Sequence, residues 1–248
     1  MTPDPQRDLL LLIETSGPTS SVALAQRTDA AWTVLAQAPN ATDEPPAPMQ
    51  HTAQLLPLIR SVLPPEGWAR LAAVGTSSGP GSYTALRAGL STAKGICAAR
   101  GLPLLQASTM RGVASVARGG LTPKRGPEGR GGGGTALVLL PARRSEVYAA
   151  TYALDDLRER SAPAVVENDA AWREGHLSTG VTVVCGPDPG LLASFDRGGT
   201  QLVEVPLEAN NLLTECALRI SENRFDGLAN TVPLYVRPPY ITRTRTRL

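Results

Sequence analysis

LAAVGTSSGPGSYTALRAGL, residues 71–90, passes from one kind of secondary structure to another within a single turn. Leu71 to Ser77 is a short apolar run of strand length, and Ser78-Gly-Pro-Gly-Ser-Tyr-Thr84 supplies the residues of a sharp reversal. A helix is predicted from about Ser82 to Arg100, with Leu86, Leu90, Ala93 and Cys97 on one stripe. Strand, glycine turn, helix is the α/β crossover unit. Glycines on either side of Pro80 also let the backbone reverse close to the helix start, where free N–H groups can face an anion. The structural alternative is a plain strand-to-helix connection.

Upstream, Leu9 to Ile13 and Val22 to Ala25 flank the polar turn Glu14-Thr-Ser-Gly-Pro-Thr-Ser-Ser21, which reads as a hairpin; a third strand is predicted over Thr33 to Ala36. Gln50 to Leu63 has helical spacing, with Pro57 inside it. Downstream come a strand at Pro103 to Gln106, a helix from about Ser108, and a glycine-rich loop over residues 118–134. Strands are then predicted at 135–140, 146–154, 181–185 and 201–205, with helices at 169–174, 189–195 and 209–223. The two halves open alike, each with paired strands followed by α/β alternation, although no repeat shows by residue identity. The expected class is α/β with two lobes. Residues 1–106 form the first, residues 107–230 a smaller second, and the tail 231–248 returns to the first.

Composition narrows the functional classes. The 248 residues carry a formal net charge of +2 and 42% hydrophobic residues, enough for a buried core but without the basic field of a self-sufficient nucleic-acid binder. The N-terminus lacks the pattern of a signal peptide, and no apolar run approaches the roughly 20 residues of a membrane span. Three cysteines, Cys97, Cys185 and Cys216, do not form a disulfide framework. A cytoplasmic protein with no membrane contact is expected.

Two segments carry candidate chemistry. Glu14, Thr15 and Ser16 stand where an actin-like or sugar-kinase-like lobe holds a metal and phosphate, and Gly79, Gly81 and Ser82 supply the second turn. Together they make a candidate nucleotide-site remnant. A carboxylate beside Ser and Thr also serves as a local cap of the backbone. The histidines, His51 and His176, are too far apart in pattern to suggest a transition-metal set, and no Ser/His/Asp arrangement is recognisable. No cofactor, metal or catalytic residue is expected.

LLLIETSGPTSSVAL, QHTAQLLPLI, SSGPGSYTALRAGL running into AKGICAARGLPL, ARRSEVYAATY and PLYVR occur in an order and spacing that resembles the TsaB/YeaZ family, a branch of the actin-like ATPase superfamily (ASKHA, RNase H-like). The match covers the first hundred residues well and the rest thinly. The resemblance implies a non-catalytic paralogue of the subunit TsaD, acting with it, with a TsaE-like ATPase, and indirectly with tRNA, whose adenosine beside the anticodon receives a threonylcarbamoyl group. A homodimer is the implied state of the isolated chain. Where the catalytic paralogue has a histidine cluster, Gln106-Ala-Ser-Thr-Met-Arg111 has no imidazole, and where relatives carry an acidic residue before Ala-Arg, Pro141 stands. The alternative is a nucleotide-binding phosphotransferase or hydrolase of the same fold, for which Glu14 replaces the favoured Asp.

The partner surface is expected on the two N-terminal helices, through His51, Leu55, Leu58, Ile59 and Val62 of the first and the small-residue stripe Ala85, Gly89, Thr92 and Ile96 of the second. On this reading a bulky residue at Gly89 breaks association and leaves the monomer folded. The arginines at 243, 245 and 247 are expected to be a solvated tail or a phosphate contact.

Overall fold

The computed structural model describes residues 6–29, 31–39, 50–121, 134–177, 180–196 and 199–237. The Arg-rich end and most of the 118–134 loop lie outside them. The first half runs β1 (Leu9–Glu14), β2 (Ser21–Thr28), β3 (Ala31–Pro39), α1 (Gln50–Val62), α2 (Gly67–Arg70), β4 (Leu71–Ser77), α3 (Tyr83–Arg100) and β5 (Leu104–Ala107). The second runs α4 (Thr109–Gly119), β6 (Thr135–Pro141), β7 (Glu146–Ala153), β8 (Glu159–Glu167), α5 (Ala170–Leu177), β9 (Val181–Gly186), α6 (Pro189–Ala193) and β10 (Gln201–Glu204), then a 3₁₀ turn (Ala209–Leu212) and α7 (Leu213–Ser221).

Each half makes a five-stranded sheet of the same topology. The first has the order β3-β2-β1-β4-β5 and the second β8-β7-β6-β9-β10, so its strands repeat the first set in sequence. In both, the three opening strands are antiparallel and the next two join in parallel. This doubled mixed sheet is the two-lobed actin-like α/β fold. All six residues of β1 are buried, as a central strand covered on both faces requires.

The helices do not stay with the sheet they follow. α1 and α3 cover one face of the first sheet, where Leu55, Ile59, Val62 and Leu63 meet Leu90, Ala93 and Cys97 over Leu9, Leu11 and Ile13. The other face is covered by the 3₁₀ turn and α7, through Ala209, Leu212, Cys216 and Ile220 against Leu10, Leu12, Ala73 and Leu105. α4, which follows β5 of the first sheet, packs instead on the second, placing Met110, Val113 and Ala117 against Ala136, Val138 and Tyr152. The chain therefore crosses between lobes twice. The crossings meet where Gly112 on α4 lies against the Asn211 carbonyl, so close that a Cβ there would stand 2.8 Å from its oxygen. Burial pushes the thiols of Cys97, Cys185 and Cys216 up, and all three are free. Among the described residues no helix is long and apolar enough to cross a membrane.

One strand escapes the sequence reading. β8, with sequence ERSAPAVVE, contains Pro163 and is exposed over most of its length. It is an edge strand, and edge position is where proline and charge are tolerated in a sheet. The predicted helix over 209–223 is split into the 3₁₀ turn and α7.

The crossing predicts opposite outcomes for two glycines of α4. Gly112→Ala should lower the melting temperature, at a cost of about 1–3 kcal/mol for overpacking against the Asn211 backbone. Gly119→Ala meets nothing within 4 Å and should leave it unchanged or raise it by up to ~1 kcal/mol of helix propensity. Thermal melts of the two variants check both.

Candidate functional site

β1 is flanked by antiparallel β2 and parallel β4, so the turns leaving β1 and β4 emerge side by side at the ends of parallel strands. In open α/β sheets this is where ligands gather. Glu14, Thr15 and Ser16 occupy the first turn, and Gly79, Gly81 and Ser82 the second, so the structure brings the six together.

Several of their polar groups are turned on each other, while the buried Thr15 Oγ1 has no hydrogen-bond partner among the described residues. The Glu14 carboxylate, 1% exposed, accepts the Ser16 N–H at 2.6 Å. Thr15 N–H donates to Ser77 Oγ at 3.3 Å, and Ser82 N–H donates to the Ser16 carbonyl at 3.0 Å. Gly81 is required at this stitch, since a Cβ would lie 2.7 Å from Ser16 Cβ. Gly79 has φ +99°, a conformation that glycine adopts without strain. Its carbonyl accepts from Thr109 N–H at 3.2 Å, and Ser78 N–H donates to the Ala107 carbonyl at 2.8 Å. The helix start expected to offer free N–H groups thus has the Ser82 donor committed to the chain's own backbone.

A cleft of about 1400 Å³ lies between the lobes. One wall is built from Ser16–Pro18 and Pro80–Thr84, the other from Leu140–Glu146 with Pro187 and Asp188, and Leu234–Arg237 pass along it. Glu14 is not part of the lining. By topology β6 is the counterpart of β1, and its last residue is Pro141, exposed, where β1 ends in Glu14. The turn after β9 offers Asp188, but its carboxylate caps α6 by accepting the Leu191 N–H at 3.1 Å. A phosphate or metal in this cleft would therefore meet no paired carboxylates from the two lobes. His176 sits on α5, its ring 4.3 Å from Trp172 and its Nδ1 3.1 Å from the Trp172 carbonyl. Among the described residues no three His, Cys, Asp or Glu side chains converge as a metal set.

Much of the expected partner surface is turned toward the chain's own core. Leu55, Ile59 and Val62 are buried against the first sheet, with Leu58 packed beside them. The His51 side chain lies outside those described. On α3, Ala85 is 1% exposed and Gly89 faces the chain's own first turn, where a Cβ would stand 3.0 Å from Thr15 Cγ2 and closer still to its hydroxyl. Thr92 and Ile96 are half-buried, Ile96 against the same core. The physical reason is angular. Consecutive helical residues lie about 100° apart, so positions one before the core stripe fall under the same apolar arc of a packed helix.

The open face lies one residue further round. On α3, Thr84, Arg87, Ser91, Gly95, Ala98 and Ala99 are exposed, and Gly95 has nothing within 4 Å of a Cβ. On α1, Ala53, Leu56, Pro57 and Arg60 are exposed, Leu56 by 53%. The two helices share one face of the first sheet, so these surfaces adjoin. Sequence reading missed them, although the spacing of Leu86, Leu90, Ala93 and Cys97 placed the opposite side at 84, 88, 91 and 95.

Comparison with known proteins gives a consistent result. The family model described as TsaD, tRNA N6-adenosine threonylcarbamoyltransferase, matches residues 45–171. The tRNA threonylcarbamoyladenosine biosynthesis protein TsaB of Escherichia coli (strain K12) is 30% identical over 111 residues, a match spanning 44% of this chain and 44% of that protein. Two solved structures from Pseudomonas aeruginosa share the fold at 21% identity. A protein with similarity to the peptidase YeaZ has a TM-score of 0.68 over 93% of this chain and 100% of its own, and YeaZ itself 0.66 over 92% and 99%.

The buried carboxyl predicts a pH signature. Desolvation pushes Glu14 above the usual carboxylate range, opposed by bonds from Ser16, Ser77 and Thr15. A carboxyl that holds its proton more tightly when folded favours folding at low pH. That contribution is lost as pH rises from near 4.5, where the unfolded group titrates, through the folded value. Glu14→Gln, which keeps an acceptor for the Ser16 N–H, should melt at or above the wild type at pH 8, its advantage shrinking as pH falls toward 4. A variant that melts lower at pH 8 would show instead that the site needs the charge.

Proposed function

The chain belongs to the TsaB/YeaZ family, and from that premise we propose that it is a non-catalytic cytoplasmic subunit of tRNA threonylcarbamoyladenosine synthesis. It binds a TsaD-like catalytic subunit and holds it in a competent shape. A TsaE-like ATPase joins the assembly, tRNA is engaged indirectly, and the isolated chain pairs with itself. The observation that carries this reading is the state of the two paired turns: the Ser82 N–H and the Glu14 carboxylate serve the chain's own backbone, at 3.0 Å from the Ser16 carbonyl and 2.6 Å from the Ser16 N–H. A nucleotide-driven catalyst needs those groups, or their counterparts, turned to the ligand.

The partner site we assign to the adjoining open faces of α1 and α3. Leu56 supplies an exposed apolar anchor, and Ser91, Gly95 and Ala98 are small enough to let another helix approach closely. Docking against two helices of the catalytic subunit would make a four-helix contact. Self-pairing would use the same face with two-fold symmetry.

Co-expression with the same organism's TsaD-like protein, followed by size exclusion and calorimetry, tests the assignment with two leucines on one helix. Gly95→Leu should melt as the wild type or a few degrees higher, gaining up to ~1 kcal/mol of helix propensity, while the complex weakens at least tenfold, or about 1.4 kcal/mol. Gly89→Leu should fall in melting temperature, because it overpacks Thr15. Full binding by Gly95→Leu would remove the face from consideration. Micromolar binding of ATP to the isolated chain would favour the phosphotransferase reading of the cleft.

A further inference from the structure

After α7 the chain returns along α3 and then leaves the first lobe. The Thr231 carbonyl accepts from Lys94 Nζ of α3 at 2.7 Å. Leu234 N–H donates to the Ser78 carbonyl, at the end of β4, also at 2.7 Å. The Tyr235 ring rests on Tyr83, at the start of α3, with centroids 4.9 Å apart. Only two residues later Arg237 reaches the other lobe, where its Nη1 and Nη2 donate to the two carboxylate oxygens of Glu146 at 2.8 and 2.6 Å.

Glu146 is well placed to receive it. It opens β7 and closes the β6–β7 turn, donating its N–H to the Arg143 carbonyl at 2.9 Å while its own carbonyl accepts from Ala142 N–H at 3.1 Å. The carboxylate therefore projects from a fixed hairpin. Arg237 beside it, with Arg143 and Arg144 on the same turn, holds its pKa below the usual range. Leu234–Arg237, Tyr83 and the β6–β7 turn line the cleft between the lobes.

We propose that residues 231–237 are a strap that ties the lobes together across the cleft, with the Arg237–Glu146 pair as its latch. In a two-lobed fold whose cleft is closed by a ligand, the ligand supplies the bridging contacts. Here a covalently attached segment supplies them, three anchors on one lobe and a bidentate ion pair on the other. The aperture of the cleft is then a property of the chain itself, whatever partner it serves.

The latch side chains are 52% and 26% exposed, so the pair is screened by solvent and a charge reversal there leaves each lobe's core intact. The experiment uses the isolated full chain with spin labels on Ala69→Cys in α2 and Arg160→Cys in β8, the native cysteines being buried. Pulsed dipolar spectroscopy should give one narrow inter-lobe distance for the parent. Arg237→Glu and Glu146→Arg, each alone, should broaden it and lower the closed-to-open ratio by up to about fivefold; Arg237→Glu/Glu146→Arg should restore it. High salt should broaden the parent toward the single variants. Unchanged distributions in both single variants would overturn the latch, as would a double variant no narrower than the singles. The labelled chain is diluted with excess unlabelled chain, so self-pairing adds no label-to-label distance; no catalytic subunit enters, and the outcome is separate from that of the binding test above.

Discussion

Leu9, Leu11 and Ile13 point toward α1 and α3, and Leu10 and Leu12 point the other way, toward the 3₁₀ turn and α7. A strand of six buried residues at the centre of a sheet needs apolar cover on both faces, since leaving a leucine exposed forfeits on the order of 1.5–3 kcal/mol. The first half of the chain supplies one layer only. The second layer comes from the far end of the sequence, and bringing it there requires the chain to cross between lobes at Ser108 and return at Ala209. The contact of Gly112 with Asn211 follows from that requirement. So does the placement of the segment after α7 beside α3, from which it reaches the cleft.

The same strand sets the character of the cleft. β1 delivers Glu14 to the point where its antiparallel and parallel neighbours part, a position that favours ligand binding in many α/β proteins. Fold does not decide function, however, and at this position the Glu14 carboxylate and the Ser82 N–H are bonded to the chain's own backbone. The repeated second lobe departs further, with Pro141 at the end of β6 and the Asp188 carboxylate engaged at the cap of α6. Both lobes keep the same strand order, and the Glu14 and Asp188 carboxylates each accept a backbone N–H of their own turn.

Much of the architecture was legible in the residues. The strand-turn-helix of residues 71–100, the opening hairpin, and the strands at 135–140 and 181–185 follow from apolar periodicity and from glycine and proline at turns, and each forms a named element. β8 was not legible, because an exposed edge strand with Pro163 lacks the apolar alternation by which strands are recognised. Which sheet α4 and α7 cover was not legible either, since an amphipathic stripe states that a helix is covered and not by what. For the site, the pairing of the two turns could be read from composition, but the direction of their hydrogen bonds could not. The stripe containing Gly89 was misplaced by one position, the difference between an apolar arc and the face opposite it.

The double crossing also orders events in time. On a ribosome working from the N-terminus, β1 to β5 have all been made by Ala107, whereas their second covering layer begins at Ala209. At a synthesis rate of about 5–20 residues per second, this interval lasts on the order of 5–20 seconds. Throughout it, Leu10, Leu12, Ala73 and Leu105 face water or whatever the cell offers in place of α7. The nascent first lobe thus keeps one apolar face uncovered until the 3₁₀ turn and α7 have been made.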